Sequence, residues 1–415
     1  MNQLPFFTLS DFDLIGKSVL LRVDINSPID PKTGNILDDA RFRAHQETID
    51  ALSKSKVTIL AHQSRPGKND FVSLRAHASH LSNLLKRRVK FLSGVFDDDT
   101  LEEIDSADAG DILMLENTRF FSEEVVLAEE KLEVMEKTHI VKSLAKRADY
   151  FVNDAFAAAH RSNVTLVGFS EMMPNIAGKL MENEIVGIER FFAVKGKKRV
   201  GIFGGAKADD SIKIIDKMLK EGKIDKVLTG GLVGHIFLIA GGMDMGKKNE
   251  DVIRKEVGNY DKVLKEAEKL LGSYSELIKT PLDFLGNEDG KVKHYKLNDF
   301  RRDIPAMDIG VDTIAEYASL IKSSDSVMLN GPMGVFELED YAAGTEEIFS
   351  SVAKSSGYKV AGGGHTLAAL ERMGINESDI DHISTGGGAL ISYLAGEPMP
   401  GIESLIVSKK KFGGM

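Results

Sequence analysis

The sequence contains no cysteine and no long hydrophobic run. The absence of cysteine excludes disulfide bonds, thiolate catalysis and cysteine-ligated metal sites, and it fits a reducing compartment. No window approaches the roughly 18 consecutive apolar residues that a membrane-spanning helix requires. The first residues show no basic stretch followed by an apolar segment. We therefore expect no signal peptide, no membrane partner and a cytoplasmic location.

The chain also has fewer basic than acidic residues. The 415 residues include 53 Lys and Arg against 63 Asp and Glu, which gives a net charge of −10. Broad nucleic-acid binding depends on many Lys and Arg contacts to phosphate, so we expect no nucleic-acid partner. A site for an anionic small molecule must then be a local basic cluster within an acidic chain. The length indicates two or three domains.

Glycine and arginine are unevenly distributed. Residues 1–190 contain 8 glycines and 11 arginines, whereas residues 191–415 contain 31 glycines and 5 arginines. A guanidinium group matches carboxylate and phosphate oxygens in pairs, and glycine lets backbone N–H groups approach a ligand closely. The first half is therefore predicted to present guanidinium groups, and the second half to present bare backbone.

Both halves alternate short β-branched runs with amphipathic helical stretches, which is typical of parallel α/β domains. The predicted helices include 129–148, 175–194 and 311–322. The stretch 175–194 is expected to link the halves as a hinge, and the polar segment 287–302 is expected to be an exposed loop or hairpin. The predicted strands are 18–26, 57–62, 111–117, 149–154, 199–205, 226–231, 326–331, 358–364 and 382–388.

Polar side chains follow each predicted strand of the first half. Ligands of open parallel sheets bind beyond the carboxyl ends of the strands, and several arginines at one edge suit a small, multiply anionic substrate. Any one of these arginines could instead be a surface ion pair, but their repetition after four strands favours a site. The residues in question are Asp24, Asn26, Arg41, Arg43, His62, Arg65, Arg119, His160 and Arg161.

Five predicted strands of the second half end in glycine-rich turns, and two of these turns lead into a helical pattern. Such turns can bind phosphate, although tight turns also need glycine for packing. The usual nucleotide motifs are absent: there is no GxGxxG, and Lys248 follows the GxxxxGK of residues 241–247 where Ser or Thr is required. The turns are Gly204-Gly205, Gly230-Gly231, Gly331-Pro332, Gly362 to Gly364 and Gly386 to Gly388.

Taken in order, the motifs of this chain resemble those of the phosphoglycerate kinase family, and in particular its archaeal branch. The resemblance covers essentially the whole chain. Three of the segments are highly specific in combination, namely VNDAF…AHR, NGPMGVFE and STGGGA. The full set is VLLRVDINSP, AHQSRPG, LENTRF, VNDAFAAAHR, GIFGGAK, LNGPMGVFE, GGGHT and STGGGA.

The resemblance implies a fold and a division of labour. It implies two doubly wound, Rossmann-like lobes with parallel sheets, joined by a hinge helix. Residues 1–171 would form the 3-phosphoglycerate-binding lobe and 172–194 the hinge helix. Residues 195–398 would form the nucleotide-binding lobe, and the tail 399–415 would pack back on the first lobe. The chain is expected to be a monomer.

The resemblance also implies an activity, the reversible transfer of a phosphoryl group between 1,3-bisphosphoglycerate and MgADP, giving 3-phosphoglycerate and MgATP. Mg²⁺ would be held mainly by the nucleotide phosphates, with no protein ligand assigned. Arg41, Lys207, Gly364 and Gly387 would be catalytic. The substrate site would comprise Asp24, Ile25, Asn26, Arg41, His62, Gln63, Ser64, Arg65, Arg119 and Arg161. The nucleotide site would comprise Gly205, Lys207, Lys213, Gly230, Asn330, Pro332, Gly334, Glu337, Gly363, Gly364, His365 and Thr366.

Two positions depart from the family pattern. Ser211 stands where a second lysine is common, and Lys213 is the candidate to replace it. His365 stands where the family usually has an aspartate that helps to place the metal–nucleotide complex. Two alternatives stay open at this point: a kinase with a different small-molecule acceptor, and a two-lobe binding protein without turnover.

Overall fold

The computed structural model describes residues 4–30, 33–194 and 198–414. The chain divides into two compact units, which we call the first lobe (residues 1–185 and 398–415) and the second lobe (residues 186–397). The start expected for the second lobe, residue 195, lies outside the described residues.

Within the described residues, the sheet of the first lobe has seven strands, and all neighbouring strands are parallel. The order across the sheet is β1-β7-β6-β2-β3-β5-β4. The strands are β1 (Phe7–Thr8), β2 (Ser18–Arg22), β3 (Lys56–Leu60), β4 (Val89–Phe91), β5 (Ile112–Met114), β6 (Tyr150–Asn153) and β7 (Asn175–Ala177).

The helices of this part of the chain are mostly short. Polar side chains cap the starts of two of them: Asp97 accepts the Thr100 N–H at the start of the helix Asp98–Asp105, and Thr138 accepts the Val141 N–H at the start of the helix His139–Ala145. They are α1 (Ala40–Ala44), α2 (Gln46–Ala51), α3 (Arg75–Leu85), α4 (Asp98–Asp105), α5 (Ser122–Val126), α6 (Leu132–Met135), α7 (His139–Ala145), α8 (Val164–Val167) and α9 (Lys179–Ala193), with 3₁₀ turns at Leu9–Asp11, Thr118–Phe120 and Phe156–Ala158.

Both faces of the first-lobe sheet are buried. Val19 and Leu21 of β2 pack into one apolar cluster with Leu81 of α3. The intervening Leu20 packs into a second cluster with Leu144 of α7. Because successive side chains of a strand point to opposite faces, helices must cover both sides of the sheet.

The second lobe contains two sheets. The larger one is parallel throughout, with the order β10-β9-β8-β14-β15-β16, and the smaller one is antiparallel, with the order β12-β11-β13. The strands are β8 (Arg199–Phe203), β9 (Lys226–Thr229), β10 (Ile278–Lys279), β11 (Asp283–Glu288), β12 (Lys291–Lys296), β13 (Ala306–Ile309), β14 (Ser326–Asn330), β15 (Tyr358–Gly362) and β16 (His382–Ser384).

The remaining helices alternate with these strands, and α18 returns to the first lobe. They are α10 (Ala208–Lys220), α11 (Gly231–Ala240), α12 (Lys247–Glu256), α13 (Tyr260–Tyr274), α14 (Val311–Lys322), α15 (Ala343–Ala353), α16 (Gly364–Arg372), α17 (Gly388–Leu394) and α18 (Pro400–Phe412), with 3₁₀ turns at Leu297–Asp299, Glu339–Tyr341 and Glu377–Asp379. The predicted α/β class with doubly wound parallel sheets is confirmed.

The single helix predicted for 129–148 is wrong. The structure has two short helices there, α6 and α7. Thr138 begins the second one, because its hydroxyl accepts the Val141 N–H, and the Glu123 carboxylate accepts the N–H groups of His139 and Ile140. These caps favour a new helix start over a continuous helix.

The helix predicted for 175–194, and the hinge helix assigned to 172–194, begin too early. Asn175–Ala177 forms strand β7, which pairs with β6 and β1, and the helix begins at Lys179. The Asp154 carboxylate accepts the N–H groups of Leu180 and Met181 and so fixes the first turn of α9. The division between the lobes falls within α9, after residue 185.

Several strands were not predicted. β1, β4, β7 and β10 have two or three residues each, too few to show a periodic pattern. The small antiparallel sheet was foreseen only as an exposed loop or hairpin; its turn, Asp289-Gly290, has both φ angles positive, as two-residue hairpin turns require. None of the helices among the described residues combines the length and the apolar character needed to cross a membrane.

The last helix, α18, is anchored in the first lobe by both backbone and side chains. The Gly401 N–H donates to the Ala159 carbonyl at 2.9 Å, and the Ser408 hydroxyl accepts the Asn175 N–H at 2.8 Å. Lys409 Nζ donates to the Leu4 and Phe6 carbonyls. The end of the chain therefore contributes to the stability of the lobe that contains its beginning.

We expect Leu405→Ala to lower the free energy of unfolding by about 2–5 kcal/mol, because Leu405 is fully buried and truncation leaves a cavity. Val407→Ala is the matched control in the same helix: this side chain is 37% exposed, so we expect a change within about 0.5 kcal/mol. Urea unfolding followed by circular dichroism would measure both. Equal losses would contradict the packing described for α18.

Candidate functional site

A cavity of about 740 Å³ lies at the carboxyl edge of the first-lobe sheet. In this sheet β2 lies between β6 and β3, so the strand order reverses beside it, and ligands of doubly wound sheets bind at such a reversal. We call this the first-lobe cavity. Its polar lining is Asn26, Ser64, Arg65, Lys68, Asp70, Arg119, Glu129, His160, Arg161, Ser162 and Asn163.

Five of the residues predicted for a substrate site line this cavity together: Asn26, Ser64, Arg65, Arg119 and Arg161. They come from the loops that follow β2, β3, β5 and β6. The parallel arrangement of these strands therefore does bring the arginines to one edge.

Ser64 and Arg119 are held in place by backbone contacts. Ser64 has a φ of +55°, an uncommon value for a residue other than glycine, and its N–H donates to Asn26 Oδ1 at 2.9 Å. Its carbonyl accepts a hydrogen bond from the Arg119 guanidinium. Burial, with the charges of Arg161 and Arg22, lowers the pKa of Arg119 to about 10. Such a cluster of cations is suited to an anionic ligand.

Asp24 and Arg41 form an ion pair beside this edge. Arg41 Nη1 lies 2.7 Å from Asp24 Oδ2, and the arginine is 39% exposed while the aspartate is buried. Burial disfavours the carboxylate, but His62, Arg41 and the Asn26 N–H together hold the pKa of Asp24 well below its usual range. Asp24 is therefore a permanent anion that holds one end of the Arg41 side chain.

Arg22, which was not predicted, lies beneath the site and is 1% exposed. Its guanidinium donates to the Thr165 hydroxyl at 3.1 Å and lies 2.9 Å from His62 Nδ1. Because a guanidinium can only donate, Nδ1 of His62 accepts and Nε2 carries the proton. Burial, despite the opposing charge of Asp24, holds the pKa of His62 well below its usual range. His62 is therefore a neutral N–H donor.

The charge of Arg22 is offset by a second buried group, Glu124. This carboxylate accepts the Thr165 N–H at 2.8 Å and the Thr165 hydroxyl at 2.6 Å. Burial raises the pKa of Glu124, and the charge of Arg22 opposes that rise. The signal in the sequence was a single arginine within the apolar run of β2, since a charge in such a position must find a buried partner.

Two predicted substrate residues do not present their side chains to a ligand. Ile25 is 1% exposed and packs in the apolar core. The Gln63 side chain accepts from the Ser27 N–H, donates to the Ser27 carbonyl, and lies 3.0 Å from His77 Nε2. Its side chain links neighbouring loops, and neither Ile25 nor Gln63 lines the first-lobe cavity. Their assignment to the substrate site stays a prediction.

A second cavity, of about 210 Å³, lies at the carboxyl edge of the large second-lobe sheet, where the order reverses between β8 and β14. We call it the glycine-turn cavity. Nine predicted nucleotide or catalytic residues line it: Gly205, Lys207, Asn330, Pro332, Gly363, Gly364, His365, Thr366 and Gly387.

The glycines of these turns serve two different purposes. A Cβ at Gly204 would lie 2.0 Å from the Pro332 carbonyl oxygen, so this turn needs glycine for packing. In contrast, a Cβ at Gly364, Gly387 or Gly388 would meet nothing within 4 Å. Helices α16 and α17 begin at Gly364 and Gly388, and both glycines line this cavity. The first N–H groups of a helix have no acceptor within the helix, so this arrangement is suited to an anion.

The start of α10 adds charged and polar groups to this cavity. Lys207, Asp210 and Ser211 line it. Burial and Asp209 raise the pKa of Asp210, and the nearby lysines oppose that rise. Asp210 was not predicted, although its carboxylate oxygen is of the type that Mg²⁺ prefers.

Lys213 is not brought to the glycine-turn cavity. It is exposed and lines a separate cavity with Lys217 and Lys220. The reason is helical geometry: Ser211 is one turn beyond Lys207 and shares its face, whereas a residue two further on points away. The structure therefore does not bring Lys213 to the position expected of the missing lysine, and its replacement of that lysine stays a prediction.

An adjoining cavity of about 490 Å³ shares Gly205, Ala206, Pro332 and His365 with the glycine-turn cavity. Gly334 and Glu337, both predicted, line it. Gly230, also predicted, is not in its lining, because Gly230 packs against Met333. The remainder of the lining is Gly231, Leu232, His235, Val252, Glu256, Ala306, Met307, Asp308, Met333 and Val335.

Two buried titratable residues of this adjoining cavity were not predicted. Asp308 accepts the Gly344 N–H at 2.6 Å and the Ile309 N–H at 2.9 Å, yet burial raises its pKa to about 7. Burial lowers the pKa of His235 to about 4. Nothing in the sequence distinguishes these two from exposed residues of the same type.

One group of three potential metal ligands occurs among the described residues, namely Asp283, His294 and Asp312. The Asp283 carboxylate already accepts N–H groups from Asp312 and Thr313 at the start of α14. None of the three lines the cavities at the sheet edges. Within the described residues, this group therefore has no connection to the candidate site.

Comparisons with known proteins identify the family of the chain. Residues 9–397 match a family model described as phosphoglycerate kinase. The phosphoglycerate kinase of Thermoplasma acidophilum is 50% identical over 410 residues, covering 99% of each chain, and that of Methanothermus fervidus is 45% identical over 411 residues, again covering 99% of each. The resemblance to archaeal members is thereby confirmed.

Solved structures extend the similarity to the fold. The crystal structure of phosphoglycerate kinase from Pyrococcus horikoshii matches with a TM-score of 0.85 at 40% identity, over 98% of this chain and 100% of that one. The structure of the enzyme from Coxiella burnetii matches with a TM-score of 0.82 at 30% identity, over 97% of this chain and 99% of that one.

The raised pKa of Asp308 predicts a pH effect on stability. Between about pH 4 and about pH 7 the unfolded chain loses this proton while the folded chain retains it, so the free energy of unfolding falls as the pH rises through this window and then levels off. Asp308→Asn removes this pH-dependent contribution, because the amide does not titrate. In urea unfolding at a series of pH values, the free energy of unfolding of the variant should therefore rise relative to that of the wild type as the pH rises.

The exposed Asp299 provides a matched control, because Asp299→Asn makes the same chemical change outside the cavity. A difference between wild type and Asp308→Asn that stayed constant across the pH range would contradict a raised pKa.

Proposed function

Because the chain belongs to the phosphoglycerate kinase family, we propose that its first-lobe cavity binds 3-phosphoglycerate and that its glycine-turn and adjoining cavities bind the magnesium nucleotide. The chain is a glycolytic kinase, and its reaction is the reversible transfer of a phosphoryl group between 1,3-bisphosphoglycerate and ADP. The assignment of each substrate to a cavity rests on the charge and shape of that cavity.

Phosphoryl transfer to this acceptor needs little covalent catalysis from the protein. The acceptor, a carboxylate, is already ionised at neutral pH, so no general base is needed. In-line phosphoryl transfer depends on positioning and on stabilising the charge of the transferring group. Arginines, a lysine and helix N-termini at the two sheet edges are suitable for that purpose.

The observation that carries the substrate assignment is the cationic cluster in the first-lobe cavity. Arg65, Arg119 and Arg161 line it together, and the pKa of Arg119 is lowered by burial and by neighbouring arginines. A ligand carrying a carboxylate and a phosphate would relieve that repulsion. The neutral His62 would add an N–H donor, and Arg41 would reach the transferring group.

The nucleotide phosphates would lie in the glycine-turn cavity. Gly364 and Gly388 begin two helices and line this cavity, where a Cβ on either would meet nothing within 4 Å, and Lys207 adds a positive charge. The base and ribose would enter the adjoining cavity, whose lining includes the apolar Leu232 and the acidic Glu337. The adjoining cavity shares lining residues with the glycine-turn cavity.

Mg²⁺ would arrive with the nucleotide and supply charge neutralisation at its phosphates. Asp210 is the carboxylate that lines the glycine-turn cavity, and a carboxylate oxygen suits this hard cation. His365 occupies the position of the usual aspartate, and an imidazole is a poorer ligand for Mg²⁺ than a carboxylate. We infer that Asp210 carries the larger share of metal placement in this chain.

The proposed reaction is tested by a coupled assay of the purified protein. The assay contains 3-phosphoglycerate, MgATP, glyceraldehyde-3-phosphate dehydrogenase and NADH, and each component is omitted in turn. We expect NADH oxidation that requires both 3-phosphoglycerate and MgATP. Binding of 3-phosphoglycerate without turnover would instead favour a two-lobe binding protein, and turnover only with another acceptor would favour a different small-molecule kinase.

Replacing Arg119 should affect the two substrates differently. We expect Arg119→Ala to raise KM for 3-phosphoglycerate by about tenfold or more, since hydrogen bonds to charged groups contribute about 1.5–3 kcal/mol. KM for MgATP should stay near the wild-type value, because Arg119 lines only the first-lobe cavity. Lys142→Ala, which removes an exposed charge of α7 in the same lobe, is the control. Equal losses for both substrates would contradict the assignment.

A further inference from the structure

Arg41 is carried by a helix too short to define its own orientation. Helix α1 has five residues, and isolated helices shorter than about 12–15 residues are marginal in water. The orientation of Arg41 must therefore come from what holds this helix. Two residues do so: Phe42, which is fully buried in the apolar core, and His45, which ends the helix.

His45 connects the end of α1 to the peptide group of Asp24. The imidazole is 1% exposed, with Nδ1 2.7 Å from Asp154 Oδ2 and Nε2 3.0 Å from the Asp24 nitrogen. A carboxylate only accepts, so Nδ1 donates to Asp154. Nε2 also lies 3.1 Å from the Asp24 carbonyl oxygen, and in the neutral imidazole, whose one proton is on Nδ1, it accepts the Asp24 N–H. The ring therefore has one defined orientation, with both nitrogens in use.

Asp154 is a fixed hydrogen-bond partner for the His45 imidazole. The side chain is fully buried, and its other oxygen, Oδ1, accepts the Leu180 N–H at 2.9 Å and the Met181 N–H at 3.3 Å. Its own N–H donates to the Arg22 carbonyl at the end of β2. A carboxylate at a helix N-terminus is also favoured by the helix dipole. The position of Asp154 is thus set by β2 and by α9.

Arg41, Asp24 and His45 are linked in a closed loop of contacts. The guanidinium pairs with the Asp24 carboxylate at 2.7 Å, the Asp24 N–H donates to His45, and α1 returns from His45 to Arg41. Neither His45 nor Asp154 lines the first-lobe cavity. We propose that His45 and Asp154 are positioning residues that hold Arg41 in its catalytic orientation. This inference rests on the proposed role of Arg41.

A double-mutant cycle tests the proposal. His45→Asn keeps a donor near Nδ1 for Asp154 but has no group that reaches the Asp24 N–H. We expect it to lower kcat by about threefold to tenfold, as the loss of one hydrogen bond would, with KM for MgATP unchanged. Arg41→Ala alone should lower kcat more. In the Arg41→Ala background, His45→Asn should have no further effect on kcat, because the two residues act together.

The alternatives give distinct results. If the losses in kcat multiply, His45 acts independently of Arg41 and the inference is overturned. If Arg41→Ala leaves kcat at the wild-type level, the proposed role of Arg41 is wrong, whatever His45 does. Ser55→Ala is the control: Ser55 donates to the Leu14 carbonyl at 2.8 Å, at the opposite end of β3. It should leave kcat unchanged in both backgrounds.

A second variant, His45→Gln, distinguishes a loss of positioning from a folding defect in His45→Asn. The amide oxygen of His45→Gln reaches the position of Nε2 and can accept the Asp24 N–H, while the contact to Asp154 is lost. We expect His45→Gln to retain a higher kcat than His45→Asn. The reverse order, with both variants folded by circular dichroism, would show that the contact with Asp24 does not position Arg41.

Discussion

The strands of the large sheet in each lobe all run parallel, and this constraint determines where ligands can bind. Each strand must end at the same edge as its neighbours, so residues far apart in sequence are collected there. In the first lobe the loops after β2, β3, β5 and β6 bring guanidinium groups together. In the second lobe the turns after β8, β14, β15 and β16 bring glycines together. The two sites differ in side chains while sharing one geometry.

An acidic chain can bind an anion because charge is arranged locally. Below the first-lobe cavity, Arg22 is buried with Glu124 nearby, so its charge is balanced from beneath. Toward the cavity, Arg119 and Arg161 repel one another. Burial, with a further contribution from the neighbouring arginines, holds the pKa of His62 well below its usual range and makes the imidazole neutral. The site therefore offers fixed cations and one neutral donor.

Much of this arrangement was predictable because it depends on pattern. Alternating strands and helices gave the parallel α/β class, and the residues after the strands gave both sheet edges. What the pattern did not reveal depends on burial. Arg22 ends β2 and Arg119 lies in the turn after β5, yet one is 1% exposed within the core and the other lines the cavity. Gln63 and Lys213 were likewise assigned by position, although side-chain contacts and helical phase direct them elsewhere.

The glycines show how packing and function can be separated within one motif. A Cβ at Gly204 or Gly331 would collide with backbone oxygen atoms, so those glycines are required even in a protein without a ligand. A Cβ at Gly364 or Gly388 would meet nothing, and neither position carries a positive φ. Folding alone would tolerate alanine at these two helix starts. Their lack of side chains is best explained by a ligand that must approach the backbone N–H groups closely, which is what phosphate oxygens require.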